Sequence, residues 1–144
     1  MTLEVRGVGR VQIRTLPLTE PPIPEEGGRI RSVNGEMARI VNGELFSFAA
    51  YIEFALGANR SRGNHYHLQK TEILYIMTGT LRAVYYDLES HTTQEEILRA
   101  GDLVRIEPNC AHAYVPLEYS QALELAVDPY DEADTVAYEL VRAK

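Results

Sequence analysis

From residue 45 the chain alternates side chains with a period of two. In ELFSFAAYIEF, Phe46, Phe48, Ala50, Ile52 and Phe54 share one face, while Leu45, Ser47, Ala49, Tyr51 and Glu53 share the other. That period marks a strand whose two faces meet unlike surroundings. Comparable short runs recur at EILYIMTG, TLRAVYYD, EEILRAGD, LVRIEP, HAYVPL and QALELAVD, separated by turn-rich or polar stretches. Many short, closely spaced strands bury their apolar faces by closing a barrel or stacking two sheets. The expected class is all-β, built of antiparallel strands in one domain.

Upstream, LPLTEPPIPEEGG (16–28) carries four prolines and two adjacent glycines, a composition hostile to helix and to central strand alike. It predicts a connector, with Val5 to Thr15 before it as an edge strand or an arm reaching a partner subunit. Residues 1–35 are therefore read as N-terminal arm and Pro-rich connector, and 36–144 as the barrel domain. In ARIVNGELF, Asn42-Gly43 stands between two strand-like runs, which predicts a hairpin. Helix is plausible only in the last segment, EADTVAYELVRAK, which could equally be a strand.

Charge narrows the partners. With 14 basic and 21 acidic side chains the net charge is −7, so a nucleic acid backbone would be repelled rather than gathered. No apolar run approaches the ~20 residues that span a bilayer, and MTLEVRGVGRVQ lacks the apolar centre of a signal peptide. The expectation is a cytoplasmic protein with no membrane partner. The single cysteine, Cys110, can close no intrachain disulfide and builds no Cys-rich zinc site, so metal chemistry would have to rest on His and carboxylate.

Such a set exists in RGNHYHLQKTEILYIMTG (62–79). Residues two apart on a strand point the same way about 7 Å apart, so His65 and His67 project together while Tyr66 faces away. Glu72 lies five residues after His67 and would face the opposite side of an unbroken strand, so Leu68-Gln69-Lys70 must turn to bring it back. Farther on, GDLVRIEPNCAH starts a strand after Gly101, turns at Pro108-Asn109 and presents His112. Three imidazole nitrogens and one carboxylate suit Fe(II), Mn(II), Ni(II), Co(II) or Zn(II), with positions left open for a substrate.

These residues resemble the two motifs of the cupin superfamily. The first is matched by His65, His67, Glu72 and Gly79, and the second by Gly101, Pro108 and His112 at family spacing. Asn59 and Asn109 replace motif glycines, Glu107 a proline, and Pro116 an asparagine. Asn is the non-glycine residue that best tolerates positive φ, so both turns remain feasible. Across roughly residues 40–127 the resemblance implies a cupin jelly-roll β-barrel, commonly dimeric, with a divalent transition metal inside.

Several neighbours are candidates for other roles. Tyr114 shares the parity of His112 and should face the interior, as a catalytic acid or as core packing. Glu107, near His112, is a catalytic carboxylate or an edge charge. Arg60, Arg62 and Lys70 flank the histidines and would bind an anionic substrate, or else form solvated surface. Cys110 is a ligand or a small buried apolar residue.

RGNHYHLQKTE is similar to the equivalent stretch of cupin enzymes of sugar-nucleotide metabolism, and DPYDEADTVAYEL to the closing segment of the capsular type. The implied function is a metal-dependent isomerase or epimerase of a keto-sugar, sugar phosphate or nucleotide sugar. The alternatives are an Fe(II) dioxygenase of a small organic acid or diketone, and a non-catalytic binding cupin.

Overall fold

The computed structural model describes residues 5–25 and 27–142. Its strands are β1 (Val5–Arg6), β2 (Val11–Thr15), β3 (Leu18–Thr19), β4 (Gly28–Ser32), β5 (Gly35–Arg39), β6 (Phe48–Phe54), β7 (Arg62–His67) and β8 (Glu72–Thr78). They continue as β9 (Thr80–Asp87), β10 (Thr93–Arg99), β11 (Asp102–Ile106), β12 (Cys110–Pro116), β13 (Ser120–Ala126) and β14 (Thr135–Ala137). A six-stranded sheet, β1-β2-β11-β8-β13-β6, faces a five-stranded sheet, β10-β9-β12-β7-β14, and β3-β4-β5 forms a small third sheet.

The two large sheets are a jelly-roll sandwich of antiparallel pairs, and among the described residues their ladders do not join into a closed barrel. Between them lies one core, in which Ile13, Phe54, Leu74, Ile76, Leu81, Tyr85, Leu98, Val104 and Ile106 are buried. The period-two pattern is realised on β6, where Phe48, Ala50, Ile52 and Phe54 are the more buried side chains. Phe46 departs from it, packing with a second cluster of Leu16, Ile73, Tyr75 and Leu103. That cluster includes Ala38 of β5 and Ile40, so the small sheet covers part of a large one.

The structure narrows several expectations. Of the residues before the connector, Val5–Arg6 (β1) is the edge strand of the six-stranded sheet, while β2 lies inside it, paired by β1 and by β11, so the segment is no free arm. Val11 and Ile13 are buried there, and burying such a side chain contributes roughly 1.5–3 kcal/mol, which welds the segment into the sandwich. The expected division at residues 35 and 36 falls within the hairpin of β4 and β5.

Nor is Asn42-Gly43 a hairpin turn. β5 pairs with β4 and β6 pairs with β13, so the chain passes between sheets at that point, and the tight turn lies instead at Val33-Asn34. Among the described residues of the last segment the only helical piece is a single 3-10 turn, Glu132–Asp134, followed by β14. Residues 143 and 144 lie outside the described residues, as do 1–4 of the N-terminal segment. Among the described residues no helix is long and apolar enough to cross a membrane.

Candidate active site

β7 and β12 are neighbours in the five-stranded sheet, and their register sets His65 directly against His112. His67, two residues along β7, adds the third ring. The ring centroids are 4.8 Å apart for His65 and His112, 5.0 Å for His65 and His67, and 5.6 Å for His67 and His112. One nitrogen from each ring falls within 4.8 Å of the others. The register shifts at His112/Ala113, a bulge of the kind that re-aims side chains beside functional sites.

The opposite sheet supplies the carboxylate. Glu72 opens β8 and is buried, with Oε2 3.1 Å from His112 Nε2 and 3.5 Å from His67 Nε2. The turn at 68–70 therefore returns Glu72 to the face of the histidines. Among the described residues none of these three buried atoms has a hydrogen-bond partner in acceptable geometry. His112 Nδ1 is 3.0 Å from the carbonyl of Cys110, and a carbonyl only accepts, so this nitrogen carries the hydrogen and Nε2 faces the site.

The electrostatics follow from burial and crowding. Burial, then the charge of His112, lower His65 to about 4, which keeps it neutral near pH 7. Burial would lower His112 as well, but the Glu72 carboxylate beside it outweighs that and raises it. Burial pushes Glu72 up, yet the charge of His112 and the close approach of its neighbours hold it well below the ordinary carboxylate value.

A second carboxyl, Glu124 on β13, lines the same cavity as Glu72. Burial, followed by the interaction with the neighbouring Glu72, pushes Glu124 up to about 8. Sequence reasoning missed it. The available signal was its parity: Ser120, Ala122, Glu124 and Ala126 alternate along β13, so Glu124 is an acid on a core-facing row.

An inner cavity of about 150 Å³ opens onto this cluster. Ile52, Phe54 and Leu74 form its apolar wall, opposite His65, Glu72, His112 and Glu124. Tyr114 also lines it; its hydroxyl is 3.4 Å from that of Tyr85, and burial, then Tyr85, hold it protonated well above the usual phenol range. An outer groove of about 540 Å³ shares Gly63, His65 and Glu124 with the cavity and adds His67, Lys70, Phe48 and Tyr130.

The flanking candidates separate. Arg62 lines the inner cavity as well as an open surface cleft that Arg60 shares, and its Nε donates to the Glu53 carbonyl at 2.8 Å. Lys70 is buried, with Nζ 3.4 Å from Glu124 and 4.6 Å from the Phe48 ring centre, so it is committed within the site's wall rather than free at its mouth. Glu107 is exposed and accepts the Thr71 hydroxyl at 3.2 Å, outside the cavity, because it follows the end of β11 at the sandwich rim. Cys110 packs in the core, where burial raises its thiol to about 12, and it stands apart from the triad. The two asparagines in place of motif glycines, Asn59 and Asn109, adopt φ of 64° and 63°.

The molecule is thus a two-sheet jelly roll with histidines and carboxylates converging on an interior cavity. The Cupin domain family model matches residues 50–125, and the chain belongs to the cupin family. No curated protein matches it in sequence.

Solved structures share its fold. A TDP-quinovose 3,4-ketoisomerase from Campylobacter jejuni is 20% identical with a TM-score of 0.71, over 90% of this chain and 94% of that one. A 3,4-ketoisomerase from Helicobacter canadensis is 19% identical with a TM-score of 0.68, over 88% and 89%. A dTDP-4-dehydrorhamnose 3,5-epimerase from Bacillus anthracis is 14% identical with a TM-score of 0.72, over 94% and 83%.

Proposed function

We propose that this cupin is an isomerase or epimerase that moves a proton beside the carbonyl of a keto-sugar, sugar phosphate or nucleotide sugar. His65, His67, His112 and Glu72 would hold a divalent transition metal. The observation that carries the metal is the set of three buried atoms, His67 Nε2, His112 Nε2 and Glu72 Oε2, gathered without hydrogen-bond partners. Left alone, each such atom costs roughly 1–3 kcal/mol, and a cation satisfies all of them together. Imidazole and carboxylate are the donors that first-row divalent ions take. When bound, the ion would polarise a substrate carbonyl and stabilise the negative charge that develops there.

The chain's own residues would do the rest. Glu124 and Tyr114 share the cavity with the cluster and are the groups placed to exchange a proton with a bound sugar, Glu124 taking the place expected for Glu107. The apolar wall of Ile52, Phe54 and Leu74 sets the sugar ring against the polar one and excludes water. The cavity holds little more than a single ring, so the anionic remainder would lie outside, against Arg62 and Arg60. A TDP-quinovose ketoisomerase and a dTDP-4-dehydrorhamnose epimerase on the same fold support this substrate class. The half-exposed Tyr51 and Met77 support the expected homodimer, which sedimentation equilibrium would test.

The test is to incubate the metal-loaded protein with a nucleotide-linked 4-keto sugar in D2O. Deuterium should enter the carbon beside the carbonyl. Absence of exchange with every keto-sugar nucleotide tried, while ligand still raises the melting temperature, would replace the isomerase with a binding module.

A further inference from the structure

Glu72 faces His67 only because the chain turns sharply between them. One residue, 64 to 66 positions away, takes the amides of that turn. Leu68 N donates to the Asp134 carbonyl at 3.1 Å, Gln69 N to Asp134 Oδ1 at 2.7 Å, and Lys70 N to Asp134 Oδ2 at 3.1 Å. Three successive backbone donors thus end on a single aspartate. Asp134 is itself delivered by the 3-10 turn, whose preceding Asp131 accepts from Ala133 N at 3.0 Å.

The same residue reaches the ring. Asp134 Oδ2 is 3.8 Å from His67 Nδ1, and the hydroxyl of Thr135 is 3.3 Å from that nitrogen. β14 pairs with β7, setting Thr135 against His67, so strand pairing fixes both contacts. A carboxylate only accepts, so Asp134 favours the hydrogen on Nδ1 while Glu72, 3.5 Å from Nε2, pulls the other way.

We propose that Asp134, with Thr135, is a positioning residue for the histidine cluster, holding the 68–70 turn and the His67 tautomer so that His67 Nε2 and Glu72 converge. Its consequence for metal affinity rests on the reading of the cluster as a cation site; the geometric part does not. The closing segment of the chain is therefore part of the site rather than packing outside it.

The test uses the metal-free full chain and reads His67 by long-range 1H–15N NMR of the imidazole. In the wild type His67 should be the Nδ1–H tautomer. Asp134→Ala and the milder Asp134→Asn should shift it toward Nε2–H, whereas Thr135→Ser should keep the wild-type pattern. His112, held by the Cys110 carbonyl, should be unchanged in all of them and so reports that the sandwich is intact. Zinc titration should then show Asp134→Ala weakened by roughly 10–100-fold. An Nε2–H tautomer in the wild type, or an unaltered His67 in both Asp134 variants, would overturn the proposal. If the wild type takes up no zinc, the metal reading falls and the tautomer still decides the positioning role.

Discussion

Oε2 of Glu72 lies 3.1 Å from Nε2 of His112, whose other ring nitrogen donates to a backbone carbonyl. The nitrogen facing the carboxylate must therefore hold a proton or share a cation, since two bare acceptors at that distance repel. Without metal, the proton is the available choice. His112 is raised above its ordinary 6.5, so its contribution to stability is complete below 6.5 and is lost as pH climbs through the raised value. Glu72 is depressed below its ordinary 4.5, so its contribution is complete above 4.5 and is lost as pH falls through the lowered value. In chelator-treated protein, Glu72→Gln should cost on the order of 3 kcal/mol in the window between. Urea unfolding at pH 6 and at successively higher pH checks this: the gap between variant and wild type should shrink as pH rises.

Glu124 gives a second pH dependence. Burial first, then Glu72, raise it from 4.5 to about 8, against the opposing pull of Lys70. The fold thus prefers its neutral form; that contribution is present below 4.5 and lost as pH rises through about 8. Glu124→Gln carries no titrating charge, so between pH 6 and 9 its metal-free melting temperature should fall less steeply than the wild type's. Parallel curves would show that Glu124 is ionised throughout.

Gly63 holds β7 close to β12. Its φ is +94°, and a Cβ there would meet the His112 carbonyl oxygen at 2.5 Å and Ala113 Cα at 3.1 Å. Gly63→Ala should therefore destabilise the fold by roughly 1–3 kcal/mol and weaken metal binding by separating His65 from His112. Thermal unfolding and metal titration of the variant measure the two effects separately.

Tyr114 and Arg60 distinguish proton transfer from substrate capture. Among the described residues the Tyr114 hydroxyl makes one long bond, at 3.4 Å to Tyr85, so Tyr114→Phe should leave stability within about 1 kcal/mol. If the hydroxyl carries a proton in catalysis, kcat should drop by roughly 10²-fold or more with little change in KM. Arg60→Ala should do the reverse, raising KM for a phosphorylated substrate at nearly constant kcat. Steady-state kinetics on the two variants would show the contrast.

Which residues could be anticipated depended on the distance their contacts span. His65, His67 and His112 were legible because strand parity and motif spacing are local properties, and the fold class followed from the period-two runs. Glu124 was harder, since its place beside Glu72 comes from the pairing of β13 with β8, which no short window reveals. Asp134 was invisible for the same reason: its partners are backbone amides more than 60 positions away. At Asn42-Gly43 the hairpin signal was overridden because both flanking strands find longer partners, β5 on β4 and β6 on β13. Lys70, read as an anion-binding or else solvated cation, is buried, with Glu124 and Phe48 against its ammonium group.

The most direct measurement is elemental analysis of the purified protein beside His67→Ala and His112→Ala variants that melt cooperatively. About one divalent transition-metal ion per chain is expected in the wild type and little in either variant. Equal metal content in all three, or none in the wild type even after incubation with zinc, manganese, iron, cobalt and nickel, would contradict a shared cation at these side chains.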